Sequence, residues 1–364
     1  MASDPSDTLT KIDPAERVEC YIRESLAKAD EGDRLPSVRQ LMHHCKVSKS
    51  AVDRVLSRLQ GEGLIEARSR SGLYRSDRSS IRETVVEYLF FGHPDSPERG
   101  GFHSEVFYAL SSSLSRESKF LHLNIMRREK NPRAIIDRIC RNPSCRVITC
   151  SVGISDLLDV GRIVDAGIGV LHLLPNFTEP VSSSICLDDK AIVRLQIEHL
   201  AGLGHRRVAY LHAAQEDTYY RSINARRDMF ARIAVDAGLE IHPGWIRYVG
   251  WDADIVHREV IDLLSADVRP TALIVYDAVV KSVYSAIREY GLVPGRDISV
   301  IGCDDRPWAA HVDPPLTTVR VSRSNIAEAT CRELGRASAG ESVGRHFIPL
   351  ELIVRKSTAP IAHK

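Results

Sequence analysis

The sequence predicts an α/β protein in two unequal parts: a small N-terminal unit of three helices and a hairpin, then a large part of two α/β lobes with parallel sheets. Three observations predict it. A helix with an apolar back and a basic front lies within residues 47–65, a basic charge block surrounds it, and from Val85 onward strand-like runs alternate with helical spacers. At 364 residues the chain is too long for one ordinary domain, and its 43% hydrophobic, 27% charged composition is that of a folded, soluble protein.

The small unit comes first. A helix is expected over about 14–29, with Val18, Ile22 and Leu26 along one face. In "LPSVRQLMHHC" (35–45), Ser37 followed by Gln40 fits a capping box, so a short helix starts near Ser37 and ends near Cys45–Lys46. Ser48 can cap the next helix, whose residues Val52, Val55, Leu56 and Leu59 recur at i, i+3, i+4 and i+7. Its other face carries Ser50, Arg54 and Ser57, with Lys49 and Arg58 nearby. "GLIEARSRSGLYRS" (63–76) reads as two short strands around a basic tip, Arg68 to Gly72. Two helices joined by a tight turn and followed by such a hairpin describe a winged helix-turn-helix.

Charge supports a nucleic-acid reading of this unit. Residues 1–33 hold 4 Lys/Arg against 9 Asp/Glu, whereas residues 34–78 hold 10 against 4, inside a chain of net charge +1. A local basic block in a neutral chain is the pattern of a phosphate-contacting module attached to something else. The apolar back of the third helix packs on the other two, and its front can enter a DNA major groove. Arg54 is then the first candidate for base contact, with Ser50 and Lys49 next, while Arg34, Arg39 and Arg70 hold phosphates. The competing reading is a solvated helix face with ordinary charges.

The acidic, polar N-terminus lacks a basic start followed by an apolar run, and no stretch approaches 18 apolar residues. Neither a secretory signal nor a membrane span is expected. The eight cysteines are scattered without a C-x-x-C. Cys140, Cys145 and Cys150 are evenly spaced, but Cys150 falls in an apolar strand-like run and no ligand-rich loop surrounds them, so buried reduced thiols are the reading and a metal site the alternative. A cytoplasmic location is expected.

Residues 76–83, "SDRSSIRE", read as a linker. Strand-like runs then occur at 85–91, 120–126, 146–152, 169–174, 207–212, 246–250, 271–276 and 298–302, most separated by helical spacers. Repeated β-α-β implies parallel sheets covered by helices, and the strands are too many for one comfortable sheet. A cleft between two such lobes takes small ligands at the carboxyl ends of strands. Enzyme signatures are missing: there is no G-x-x-x-x-G-K-[ST], no G-x-S-x-G and no H-E-x-x-H. Gly202 and Gly204 are read as a helix stop. Asp304-Asp305 could be a catalytic or metal-binding pair, could bond ligand hydroxyls, or could cap the next stretch of chain. His199 and His205, six apart, do not share a helical face.

The residues also carry two family resemblances. Gly32, Leu35-Pro36-Ser37, Val47-Ser48, Leu59 and Glu62-Gly63-Leu64-Ile65 resemble the winged helix of the gluconate-repressor (GntR) family of bacterial transcription factors. That resemblance adds Ser37 and Gly72 to the DNA-facing set and matches Arg39 and Lys49 to the family's basic positions. Asp53 stands where the family often has Arg, and of the family's Gly-x-Gly-Thr wing only Gly72 remains. From about Val85 to Thr358 the chain resembles the effector domain of the lactose/galactose-repressor (LacI/GalR) family. The matching segments are "IEHLAGLGHRRVAYL" (197–211), "RPTALIVYDAV" (269–279), "GLVPGRDISVIGCDD" (291–305), "PPLTTVRVS" (314–322) and "LELIVRKST" (350–358). The resemblance implies a two-lobed, periplasmic-binding-protein-like fold with three crossovers. Lobe one would be about 84–186 and 318–341, and lobe two about 187–312 and 343–356. Such a head on such a body resembles the arabinose-repressor type of chimera.

A sugar-like ligand needs carboxylates and Arg or Asn for its hydroxyls and an aromatic face for its C–H side. The resemblance places Arg226, Asp304, Trp251, Ser222, Asp277, Asn176 and His103 at cleft-lining positions. Tyr276-Asp277 departs from the family's usual Asn-Asp. The expectation is a homodimeric regulator, a repressor, with an operator duplex and a sugar-like effector as partners. No cofactor, metal, membrane partner or enzyme activity is expected. A solute-binding protein, or a sugar-modifying enzyme with an accessory helical domain, are the alternatives.

Overall fold

A computed structural model describes residues 13–30, 32–61, 64–68, 71–76, 85–92, 101–127, 129, 131–142, 144–176, 183–212, 221–339 and 341–361, apart from the side chains of residues 27, 61 and 221–223. The chain divides into two compact units, Met1–Thr84 and Val85–Lys364. Most of the linker read at 76–83 lies outside the described residues.

In the first unit, α1 (Pro14–Lys28) starts at Asp13, whose carboxylate accepts from the Ala15 amide at 3.3 Å. Pro14 occupies the first turn, where its missing N–H would have had no partner anyway. α2 (Val38–Cys45) opens on the capping box: the Gln40 amide donates to Ser37 Oγ at 3.3 Å, and the Ser37 amide to Gln40 Oε1 at 2.8 Å. Ser37→Ala should therefore lower the stability of this unit by about 1 kcal/mol, read by urea denaturation of the full chain. Lys46, at a left-handed φ of 50°, ends α2 and turns the chain into α3 (Lys49–Gly61). Val52, Val55, Leu56 and Leu59 are at most 6% exposed and pack with Val18, Ile22, Leu35, Leu41 and Ile65. β1 (Ile65–Arg68) and β2 (Gly72–Arg75) pair antiparallel as the wing, with Arg68 opposite Gly72. Arg75 donates to the carbonyls of Leu26 and Ala29, which ties the wing to the end of α1.

The second unit runs β3 (Val85–Phe90), α4 (Phe102–Ser115), β4 (Phe120–Ile125), α5 (Pro132–Cys140), β5 (Arg146–Cys150), α6 (Leu157–Asp165), β6 (Val170–Leu173) and β7 (Ser183–Cys186). It continues as α7 (Asp189–Gly202), β8 (Val208–His212), α8 (Arg221–Asp236), β9 (Ile246–Tyr248), α9 (Ala253–Ser265), β10 (Ala272–Ile274) and α10 (Val280–Glu289). Last come β11 (Ser299–Asp304), β12 (Thr317–Val321), α11 (Arg323–Ser338), β13 (Gly344–Phe347) and β14 (Leu350–Ile353). Two six-stranded sheets result, in the orders β13-β7-β6-β5-β3-β4 and β14-β12-β11-β10-β8-β9. All pairs are parallel except β12–β14.

Alternation along the strands explains why each sheet carries helices on both faces. Val86, Tyr88 and Phe90 of β3 join a core with Val106, Leu110 and Leu114 of α4, while Leu89 packs on the other side with Ile136, Ile139 and Ile163. In the second sheet Leu211 and Leu273 face α9 and α10, whereas Tyr210 and Ile274 face α7 and α8.

Two lobe boundaries differ from expectation. Thr317–Val321 pairs with β11 and so belongs to the second lobe, and Gly344–Phe347 pairs with β7 in the first. The crossovers therefore fall after β7, after β12 and between β13 and β14. Strand hydrogen bonds decide membership here, and these short segments carry no periodicity that names their sheet. His199 and His205 hold the C-terminal segment: His199 Nε2 is 2.9 Å from Thr358 Oγ1, and His205 Nε2 is 3.1 Å from the Ala359 carbonyl. Among the described residues, no helix is long and apolar enough to cross a membrane.

Candidate functional site

On the first unit, Arg39, Lys49, Ser50 and Arg54 are exposed along α2 and the N-terminal half of α3. Among the described residues, Arg34, Arg39, Lys46, Lys49 and Arg54 make no ion pair. Arg58, one turn beyond Arg54, is instead paired with Glu19 of α1. The unpaired positive charge thus gathers where α3 begins, the end of a helix whose amides already favour an anion. Ser50 Oγ lies 3.0 Å from Ser48 Oγ, so the two hydroxyls face each other beside Lys49. Ser37 spends its hydroxyl on the α2 cap.

The Arg34 guanidinium lies against the wing. A Cβ at Gly72 would stand 3.3 Å from Arg34 Nε, and Gly72 has φ 124°, so glycine is needed there for space and for backbone. Arg68 lies over the Tyr74 ring, 4.5 Å from its centroid. Lys46 and this Arg68–Tyr74 stack were not singled out from sequence; only a helix-ending Lys beside "Val-Ser" and an aromatic in the wing could have flagged them. Arg70 lies outside the described residues.

In the second unit the candidate residues fall at the carboxyl ends of strands or on helices α4 and α8. Trp251 follows β9, Asp277 follows β10, Asp304 ends β11, and Arg226 lies on α8. Ser222 is also on α8, its side chain outside the described set. From lobe one come His103 on α4 and Asn176 after β6. Arg226 is 7% exposed; its Nε donates to Asp189 Oδ1 at 2.6 Å and its Nη1 to Cys303 Sγ at 3.6 Å. Burial alone would push this guanidinium down, but the Asp189 carboxylate beside it holds it well above its ordinary value. A narrow crevice here is lined by Gln196, Tyr210, Arg226, Tyr276 and Cys303, among others. Trp251, about half exposed, stands edge-on to Tyr276 with ring centroids 5.6 Å apart.

The carboxylates differ in state. Asp304 is half-buried; burial raises its carboxyl, against the pull of Arg323, Arg226 and Arg306. Asp277 is fully buried and already occupied: Oδ1 accepts from Thr318 Oγ1 at 2.8 Å and Oδ2 from the Arg306 amide at 3.0 Å. Burial, with Asp304 nearby, pushes it up to about 8. Asp277 thus shapes the floor of the site rather than presenting a free carboxylate. His103 sits with Nε2 3.4 Å from Ser151 Oγ and its ring edge-on to Phe90; burial lowers it to about 4, so it is neutral at pH 7. Asn176 is 5% exposed and its backbone N–H donates to the Val152 carbonyl at 2.8 Å.

Tyr210, Gln196, Asp189 and Cys303 were not singled out from sequence, because nothing local marks a strand Tyr or a helix Gln as cleft-lining. Cys140, Cys145 and Cys150 go separate ways, Cys140 Sγ donating to the Arg162 carbonyl at 3.5 Å and Cys150 standing 3.8 Å from His103 Nδ1. Among the described residues, no group of three or more His, Cys, Asp or Glu could hold a metal ion.

A winged helix with free cations on one unit, and two parallel α/β lobes with polar groups at their strand ends on the other, define the class: a two-lobed binding domain carrying a winged-helix head. Comparison with known proteins agrees. Residues 14–74 match the gntR family of bacterial regulatory proteins, and residues 197–358 match the periplasmic binding protein-like domain. The lactose operon repressor of Escherichia coli (strain K12) is 30% identical over 178 residues, 48% of this chain and 48% of that protein. The "Probable opine utilization operon repressor" of Rhizobium rhizogenes is 30% identical over 171 residues, 45% of this chain and 86% of that one. A crystal structure of the lac repressor dimer bound to operator and the anti-inducer ONPF shares the fold, with a TM-score of 0.64 at 20% identity over 78% of this chain and 96% of that chain. The chain belongs to the LacI/GalR-type transcriptional regulators, with a gntR-family head. Its match spans about half the length of curated relatives such as the lactose operon repressor.

Proposed function

We propose that the protein is a sequence-specific DNA-binding transcription regulator, a homodimeric repressor whose operator affinity is set by a small sugar-like effector held between the two lobes. Residues 1–75 form the DNA-binding domain, and 84–358 the effector-binding and dimerisation domain. The observation that carries this reading is the cluster of unpaired cations at the start of α3, on a helix whose back is fully used by the core. A dimer sets two such helices on successive major grooves. Arg54 reads base edges with Ser50 and Lys49, and Arg34, Arg39 and Arg70 hold phosphates beside Gly72 and the Ser37 cap. In the cleft, Arg226, Asp304, Asn176 and His103 bond hydroxyls, Trp251 stacks on the ligand, and Ser222 and Asp277 complete the wall. The relatives named above are operon repressors, which supports the direction of control. An effector acts only through its different affinity for the two states, a coupling of about 1–3 kcal/mol in typical cases.

The test selects duplexes from a random pool on the full-length protein. A near-palindromic site should be enriched, with affinity falling steeply between low and moderate salt. Arg54→Ala should weaken binding to that site by about 1–3 kcal/mol and relax its sequence preference. No enrichment at low salt would remove the DNA-binding reading. A thermal-shift screen of pentoses, hexoses, their acids and their phosphates addresses the effector, since a saturating ligand raises apparent stability by mass action.

A further inference from the structure

We propose that Glu105 of lobe one is a positioning residue for Asp304 of lobe two, acting through Arg306 and Arg323 on the turn that carries that carboxylate. The proposal rests on the effector site proposed above and concerns how its key acid is held.

β11 leaves its sheet through Asp304 and Asp305, which have φ of 115° and 49°. Two successive side-chain residues in the left-handed half of the map persist only where their surroundings over-determine them. Most of the restraints come from the second lobe. The Asp305 carboxylate lies between Arg320 and Arg355, each at 2.7 Å, and the Arg306 amide donates to Asp277 Oδ2 at 3.0 Å. The Asp304 carbonyl accepts from Arg323 Nη1, at the point where the chain crosses back to lobe one.

Lobe one adds one carboxylate. Glu105, on α4, faces two guanidiniums at once: Oε1 is 2.9 Å from Arg306 Nε, and Oε2 accepts from Arg323 Nε at 2.9 Å and lies 2.8 Å from Arg323 Nη2. The Arg323 guanidinium also lies over the Phe102 ring of α4, 4.7 Å from its centroid. These three charged side chains are only 11–23% exposed, so water screens them weakly. Among the described residues, Glu105–Arg306 is the ion pair that joins the lobes, and Glu105–Arg323 anchors it within lobe one. The residues that fix Asp304 are therefore also the residues that fix one lobe against the other. An effector that bonds Asp304 pulls on a turn already tied to lobe one, so occupancy and lobe orientation are coupled through Asp304, Arg306 and Glu105. Without Glu105, the two guanidiniums lose the carboxylate that they share.

The test is hydrogen exchange on the full-length protein without ligand or DNA, resolved to single amides. Glu105→Gln keeps the shape of the side chain and removes its charge. The Arg306 amide, which is protected by Asp277, should exchange at least about tenfold faster, while amides of β3 and β5 keep their rates. Arg306→Gln, made from the other lobe, should change the neighbouring Asp305 amide in the same way. Unchanged exchange at this turn in both variants would overturn the proposal. Uniformly faster exchange throughout both lobes would overturn it too, because that is lost stability and not lost positioning. No operator or sugar enters the measurement, so its failure is separate from any failure of the proposed function.

Discussion

Asp189→Ala should destabilise the large unit by about 3 kcal/mol, among the costliest single changes available in the cleft. Asp189 is the carboxylate 2.6 Å from Arg226 Nε, and Arg226 has an 8% exposed side chain. Removing the acid leaves a buried guanidinium whose remaining hydrogen bond, among the described residues, goes to a thiol, Cys303 Sγ at 3.6 Å, with only the longer-range attraction of Asp304 to offset its charge. Arginine cannot shed its proton to escape, so the charge stays and its desolvation is uncompensated. The check is urea denaturation of the full chain, with the double variant Asp189→Ala/Arg226→Met as the control. The double variant should regain more than half of the loss, because it buries no orphan charge. A single variant costing under about 1 kcal/mol would mean that Arg226 finds another partner at no expense.

That pair shows where reading from sequence stops. The head was legible because its signals are local. Ser37 and Gln40 are three residues apart and set the α2 start, and Val52, Val55, Leu56 and Leu59 repeat at helical spacing and are buried as read. Strands were legible for the same reason: the largely apolar runs at 85–91 and 120–126 became β3 and the edge strand β4. β7, β12, β13 and β14 were not among the strands read from periodicity. β7 and β12 bury hydroxyls, Ser183, Ser184, Thr317 and Thr318, which read as loop until their partners are known. The Thr317 amide, for instance, donates to Ser357 Oγ at 2.8 Å, 40 residues away in sequence.

The cleft obeys the same rule. Arg226, Asp304 and Trp251 came from a family resemblance, and nothing in their immediate neighbours announces them. Glu105 and Arg323 lie 218 residues apart and meet only because α4 and α11 pack on one face of the first sheet. Asp277 shows the converse. Its residue type suggested a hydroxyl-binding acid, but a carboxyl with both oxygens bonded inside the protein is part of the frame.

Gly302→Ala should cost about 3 kcal/mol or more, because the Asp277 frame leaves no room for a methyl group. A Cβ at Gly302 would stand 2.0 Å from Asp277 Oδ1 and 2.8 Å from Leu316 Cδ2. Asp277 cannot retreat cheaply: moving it breaks the bond from Thr318 Oγ1 at 2.8 Å and loosens the one from the Arg306 amide at 3.0 Å. Gly302 is itself held, since its carbonyl accepts from Gln196 Nε2 at 2.8 Å. Overpacking and a stranded buried carboxyl each cost about 1–3 kcal/mol, and here one methyl causes both. Because Gly302 lies two residues before Asp304, the proposed response to a sugar-like effector should fall along with stability, while binding of the folded fraction to a selected duplex, as proposed above, persists. Thermal and urea denaturation of the full chain measure the first effect. In an Asp277→Ala background the added methyl has space, so the two substitutions together should cost clearly less than the sum of each alone. Strict additivity would show that the glycine is not there to make room for the carboxyl.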